Sequence, residues 1–454
     1  MKKRGNKRWA WLLALAFGPV AVLAQNTRDT TTGVRHEFSL QQAIDYASKN
    51  NVQVKNALLE VKKQQATNRE VTSAALPQVS ASGSYTYNAK LPVSLVPAEF
   101  FGGQPGTFEK IAFGLKHNAT VGVQLNQILF DGQVFVGLQA RETVLKFQEK
   151  NAEITEEMIR TNIYKIYYQL VASKEQIELL DANIDRFEKL LRDTRIIYEN
   201  GFAERLDVDK VNVALTNLQT ERIKALNQVE NGYLGLKMLM GMPVQHELVL
   251  TDTLNYEQVR DGVLDDGGFQ YNDRKEFQYA ELGIKLNEYN IRRYKLSKIP
   301  TLTVNGYYNK NAQRNKFDLF QKGDWFDISA VSLNLNIPLF TGFAANARIQ
   351  KAKLELEQSI NERENLKITI DNDIQVAKNN YRSAIAALDF QKKNMELAEN
   401  VFNQTRKKYE AGTGSQEEIN TAQTELKSAQ TNYINSLYDA IIAKTDFLKA
   451  TGRL

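Results

Sequence analysis

Side chains able to make or break bonds are few in this sequence, and none stands beside the partner it would need. Three histidines occur, His36, His117 and His246, and none has a second ligand at i+3 or i+4, so each reads as a surface residue. Cysteine is absent, which excludes disulfides, thiolate metal sites, Cys nucleophiles and a lipidated N-terminal Cys together. The side-by-side acids, Glu156-Glu157, Asp265-Asp266 and Glu417-Glu418, are sequence neighbours, which on a helix do not share a face. No phosphate-binding glycine loop, zincin pattern or nucleophile elbow is present. The expectation is a protein that is not an enzyme and holds neither cofactor nor metal. One acid does recur at a fixed spacing. Asp207 lies six residues after Gly201 and Glu418 six after Gly412, and each Gly closes a Tyr-x-x-Gly, Tyr198 to Gly201 and Tyr409 to Gly412. An acid there can serve a helix start: Ser415-Gln416-Glu417-Glu418 is a capping box whose Ser and Glu would satisfy backbone N–H groups.

These acids are positioned by a sequence that says nearly the same thing twice. Pro77 and Pro300 each open an alternating stretch with a Gly six residues on, Gly83 and Gly306. Val121 to Gly132 is echoed by Val331 to Gly342 at an offset of 210, and the Tyr-x-x-Gly tips follow at 211. Between Pro and Leu-Phe the first copy is longer by 13 residues, 52 against 39, and such an insert belongs in an exposed loop. After Pro105 the next proline is Pro243, and none follows Pro338, so two stretches of more than 100 residues are free of helix breakers. Within them Ile159, Ile163, Ile166, Leu170, Ser173, Ile177, Leu180, Ile184 and Phe187, and then Ile374, Ala377, Tyr381, Ala384, Leu388, Gln391, Met395, Ala398 and Phe402, keep heptad spacing. A helix from Gln133 to Tyr198 would be roughly 100 Å long. Gly201 and Gly412 supply left-handed caps, after which a second heptad-patterned helix returns in each half. Shorter helices, from Ser39 to about Ala74 and from Asp273 to Ser297, precede the strands.

Residues 1–24 read as a secretory signal, with five cations ahead of an apolar run and Val22-Leu23-Ala24 as a cleavage site. Removing those five takes Lys+Arg from 58 to 53, equal to the 53 Asp+Glu, so the basic balance belongs to the leader and nucleic-acid binding loses its support. The order predicts a first repeat at 25–240 with a β-hairpin at 77–130 and a helical tip near 198–207, and a connector at 241–272 packed on the helical body. A second repeat at 273–454 would carry a hairpin at 300–338 and a tip near 409–418. In each strand the apolar set takes one face, as Val121, Val123 and Leu125 do against Thr120, Gln124 and Asn126. Barrel strands need only ~9–11 alternating residues to cross a bilayer. Four strands per chain cannot close a barrel, whereas several copies can. Phe317, Phe320, Trp325 and Phe326, with Phe100 and Phe101 in the first hairpin, suit a membrane interface.

Taken in order, Ser39-Leu40-Gln41-Gln42-Ala43-Ile44 with Asn50-Asn51, Leu76-Pro77-Gln78-Val79-Ser80, Ile299-Pro300-Thr301-Leu302-Thr303, the Leu-Phe-x-Gly exits and the Tyr-x-x-Gly tips resemble the TolC-like outer membrane efflux proteins. The likeness covers almost the whole chain after the leader. It implies a mainly α fold with a membrane β-barrel: a homotrimer in which four strands per protomer complete a twelve-stranded barrel, continued by a long α-helical barrel across the periplasm. It also implies contact with outer-membrane lipid, docking to a periplasmic membrane-fusion adaptor, and an inner-membrane transporter of the RND or ABC type. The chain would be the passive exit duct of a tripartite efflux or type I secretion system.

Carried onto this sequence, the family's docking pattern falls on Tyr198, Gly201, Phe202, Tyr409, Gly412 and Thr413, and its periplasmic gate on Asp207, Glu418 and Tyr409. Three copies of Glu418 would form a negative ring, and an Asp207 to Tyr409 hydrogen bond would lock one hairpin to the other. A family gate acid is replaced by Thr421 and the expected basic partner by Gly414, so the locking network departs from the pattern. The competing class is an exported coiled-coil scaffold or adhesin, which explains the heptads but gives the duplicated strand hairpins no purpose.

Overall fold

The computed structural model describes residues 34–260, 268–318 and 323–454. The leader at 1–24, Gly262, Gly267, Asp265-Asp266 and Phe320 lie outside them. Along the chain run β1 (Arg35–Phe38), α1 (Leu40–Asn50), α2 (Val52–Ser73), β2 (Gln78–Tyr87), β3 (Val93–Pro97), β4 (Phe108–Ala112), β5 (His117–Phe130), α3 (Gly132–Glu199) and α4 (Arg205–Met240). Then follow β6 (Glu247–Leu250), α5 (Tyr256–Arg260), α6 (Lys275–Leu296), β7 (Thr301–Arg314), β8 (Phe326–Asn336), α7 (Ala344–Glu410) and α8 (Gln416–Ala450).

The two hairpins join into one antiparallel sheet of order β2-β5-β7-β8. Its register sets which strand faces lie together. Val79 pairs with Leu125, Ala81 with Val123, Leu125 with Gly306, Val304 with Leu333 and Leu302 with Leu335, which aligns the apolar sets of all four strands on one face. The other face is a field of Ser, Thr and Asn, with Ser80 opposite Gln124 and Asn305 opposite Ser332. Val79, Val331, Leu333 and Leu335 are all exposed, so no core of described residues covers the apolar face. At the far end of the sheet Tyr85, Tyr87 and His117 cluster, with the Tyr85 hydroxyl 2.7 Å from His117 Nδ1 and Phe317 edge-on to Tyr85 at 5.5 Å. Trp325 packs over Ala119 and Ala312, while Phe326 is exposed.

The 13-residue insert builds a strand pair of its own, β3 against β4, beyond the end of β2 and β5. A further pair lies at the helical body: β1 and β6 are parallel. Four strands in the main sheet match the sequence reading, and these four short ones were not foreseen.

The long helices, 68 residues for α3 and 67 for α7, form the rest of the body. Ile159, Ile163, Leu170, Leu180, Ile184 and Phe187 of the heptad seam are buried, as are Ala377, Tyr381, Leu388 and Phe402 of its counterpart. The expected single helix from Ser39 to Ala74 is two. Asn51 interrupts it because its Oδ1 accepts from the N–H groups of Gln53 and Val54, at 2.7 and 3.2 Å, and so starts a new helix. Its Nδ2 donates to Leu239 O at 2.6 Å, tying the break to the end of α4. There Gly241 turns at φ +70°, and a Cβ would sit 2.5 Å from Asn50 O, so only glycine fits.

The segment after α4 lies against the body. Tyr167 of α3 donates to Phe38 O at 2.9 Å and accepts from Asp252 N at 3.3 Å, Tyr381 of α7 donates to Val259 O at 2.6 Å, and Tyr256 reaches Asp389 at 2.5 Å. Burial pushes the Tyr167 phenol well above its ordinary value, which keeps it a neutral donor. The arrangement also brings together two histidines that are 210 residues apart, with His36 Nε2 3.1 Å from His246 Nδ1. No group of three or more His, Cys, Asp or Glu side chains suited to a metal occurs among the described residues.

Candidate functional site at the helical tips

Both tips are built by the same backbone device. Gly201 lies at φ +79°, Phe202 N donates to Ile197 O at 3.0 Å and Gly201 N to Tyr198 O at 2.9 Å. At the other tip Gly412 lies at φ +71°, with Thr413 N to Lys408 O and Gly412 N to Tyr409 O, each 3.0 Å. This pair of bonds satisfies carbonyls that a helix end leaves open. A Cβ at Gly201 or Gly412 would meet nothing within 4 Å, so only the left-handed backbone asks for glycine. Phe202 is 85% exposed, Tyr198 41%, and Tyr409 is half-buried.

The helix starts that follow are capped differently. Before α4 the Asp207 carboxylate accepts from Glu204 N at 3.1 Å. Before α8 it is Ser415 Oγ that accepts, from Glu418 N at 3.1 Å. The Glu418 side chain makes no return bond to Ser415, so the second half of the predicted box is missing and that carboxylate stays exposed outside the cap. The two recurrent acids thus part company: Asp207 is occupied by its own helix and Glu418 is not.

The expected Asp207 to Tyr409 bond is replaced. Tyr409 instead donates to Gln416 Oε1 at 2.5 Å, and the fully buried Thr194 of α3 donates to the same oxygen at 3.3 Å. Gln416 therefore ties α7 and α8 to α3, and its Nε2 is spent on Asn420 at 3.2 Å. Further polar rungs join α3 to α8: Asn183 with Gln423 at 3.3 Å, Gln176 with Asn435 at 2.6 Å and Lys165 with Asp446 at 2.9 Å. Just above the tip a cleft of about 270 Å³ opens between α3 and α7. In it the guanidinium groups of Arg186 and Arg406 lie 5.8 and 5.9 Å from the Phe402 ring.

The model of the family described as "Outer membrane efflux protein" matches residues 43–242 and 272–453. The chain belongs to the outer membrane efflux protein family. It is 21% identical to the outer membrane protein TolC of Vibrio cholerae over 384 residues, 84% of this chain and 83% of that one. With the outer membrane efflux protein BepC of Brucella suis it shares 23% over 441 residues, 96% and 89% of the two chains. The solved outer membrane protein VceC of Vibrio cholerae superposes with a TM-score of 0.70 at 16% identity, covering 91% of this chain and 96% of that one.

This efflux-family chain is an outer-membrane protein with two tandem repeats and a large helical portion. Among the contacts that join the two tips are Thr194 with Gln416 at 3.3 Å and Lys210 with Glu417 at 3.8 Å. Sequence reasoning missed Gln416 as the partner of Tyr409 and Thr194 as the second donor to the same oxygen. The signal available was spacing: Gln416 stands seven residues after Tyr409, the distance at which a tight turn returns a side chain to the helix it left.

Proposed function

We propose that three copies of this chain close a twelve-stranded barrel and form the passive exit duct of a tripartite efflux or type I secretion system. The observation that carries the proposal is the sheet: β2 and β8 are unpaired edges, and one face is apolar and uncovered. Four strands cannot close a barrel alone, and open edges of ten or more residues in a bilayer leave N–H and C=O groups without partners. Pairing β8 of one copy with β2 of the next satisfies both edges and turns the apolar face to lipid and the polar face to a water-filled lumen.

On this reading the tips face the periplasm. Exposed Phe202 and Tyr198, with Gly201, Gly412 and Thr413, form the surface for the periplasmic adaptor, and an RND or ABC transporter supplies the energy. The link from Tyr409 through Gln416 to Thr194 holds the tip shut, and three free Glu418 carboxylates ring the opening and favour cations.

Planar-bilayer conductance of detergent-purified protein, with its oligomeric mass measured in the same preparation, tests this. Trimers giving discrete channels of low conductance are expected. A monomer that extracts without detergent and does not conduct overturns the duct and leaves a coiled-coil scaffold.

A further inference from the structure

The place where the second repeat leaves the sheet differs from its twin in the first. Leu339, Phe340 and Phe343 are 92, 75 and 71% exposed, and the two Phe rings stand edge to face at 5.4 Å. Phe343 has a φ of +65°, the only non-glycine on the positive side among the described residues, a conformation that bulky side chains avoid. Among the described residues its ring stays mostly exposed.

Beside these rings the end of α6 carries Arg292, Arg293, Lys295 and Lys298 within seven residues and no acid. None of the four forms an ion pair with a described residue; Lys298 Nζ meets Asn346 Oδ1 at 2.5 Å, and Arg293 lies over the Tyr294 ring. Three further cations lie between 344 and 353, of which Lys351 pairs with Glu355 at 3.7 Å. The matching segments of the first repeat, 69–75 and 134–143, hold two cations and two acids. A cleft of about 210 Å³ joins the two features, with Lys298 and Asn346 on one side and Leu339, Phe340 and Phe343 on the other. It opens at the helix end of the sheet, four residues beyond the last apolar row at Leu335, or about 13 Å along the chain.

We propose that this junction binds an anionic glycerophospholipid of the periplasm-facing leaflet. Lys298, which lines the cleft, takes the phosphate, Arg293 and Lys295 add to the positive field around it, and Leu339, Phe340 and Phe343 enter the acyl boundary. Aromatic rings and cations at the edge of an apolar band are the chemistry of an anionic bilayer surface, and the lack of carboxylate partners leaves these charges for it. The proposal rests only on the sheet lying in the outer membrane, and does not depend on how many copies close it.

The test uses the full chain with Trp325→Phe, so that Phe340→Trp becomes the one reporter beyond residues 1–24. The protein is reconstituted in phosphatidylcholine containing brominated phosphatidylglycerol or, separately, brominated phosphatidylcholine. The anionic quencher is expected to act at roughly fivefold lower mole fraction. Arg293→Gln, Lys295→Gln and Lys298→Gln together, all on an exposed surface, bring that ratio to one, as does 1 M salt. A Phe130→Trp reporter at the first repeat's junction has a ratio near one throughout. Equal quenching by both lipids at Phe340→Trp overturns anionic recognition. No quenching there with quenching retained at Phe130→Trp overturns the site by showing it covered by protein, and no quenching at either removes the membrane placement beneath it.

Discussion

At the scale of single residues the tip separates roles that one dimension blended. Gly201 and Gly412 are demanded by backbone sign and not by space, since no atom lies near a Cβ at either. That makes folding and docking separable. Gly412→Asn keeps a residue that tolerates the left-handed turn, while Gly412→Val does not and costs on the order of 1–2 kcal/mol locally. If the glycine serves a partner, both variants form normal oligomers and lose efflux, measured as drug accumulation; if it serves only the turn, the Asn variant retains efflux. Gln416→Ala removes the shared acceptor of Tyr409 and Thr194 and is expected to raise single-channel conductance at least severalfold. Asp207→Asn, which weakens only a helix cap, leaves conductance unchanged and lowers thermal stability by about 1 kcal/mol. Equal conductance in the Gln416 variant and the parent rules out the latch.

Elements packed by their apolar stripes are also pinned by polar contacts at their ends. Arg274, 8% exposed in its side chain, donates to Ala450 O at 3.1 Å and to both Glu276 oxygens at 3.1 and 3.3 Å, joining the start of α6 to the end of α8. Burial raises the Glu276 carboxyl, but its hydrogen bonds to Arg274 and the guanidinium charge outweigh this and hold it below the usual carboxylate range. A depressed acid contributes stability above its unfolded value and loses it as pH falls through the folded one. Glu276→Gln should therefore lower the melting temperature at pH 7, and the difference from the parent should shrink as pH falls below the ordinary carboxylate value of about 4.3. A gap unchanged between pH 7 and pH 3 would assign the loss to packing instead of charge. Arg274→Ala is the harsher change, expected to cost about 3 kcal/mol because it strands a carboxylate and a carbonyl together. Circular dichroism melts in detergent measure both.

For the molecule as a whole, the decisive fact is a sheet with two open edges and one uncovered apolar face. Closure by other copies predicts trimers that resist SDS at room temperature and fall to monomers of 51.6 kDa, less any cleaved leader, on heating. Lys310→Pro, within β7 and flanked by a paired strand on each side, should abolish that heat-modifiable band, since a central strand cannot spare its N–H. A band that survives the substitution would mean the trimer is held by the helices alone.

The sequence by itself determined what is periodic and what is local. Proline spacing and heptads fixed the two long helices, because helix length and seam are properties of consecutive residues. The Gly turns were legible because a left-handed cap has one best residue. Alternation gave the strands and each strand's apolar side. The tertiary structure decided what depends on residues far apart in the chain. Register put four apolar faces on one side of a single sheet, which no strand encodes alone. Asn51 broke a helix that its neighbours would have continued, because its amide also found Leu239 O. Tyr409 took Gln416 over Asp207, and the box at Ser415 formed only half, because a hydroxyl or carboxylate chooses among whatever the packed helices bring within about 3 Å. His36 met His246 across 210 residues for the same reason: proximity in a fold is set by packing, and spacing in the sequence carries no record of it.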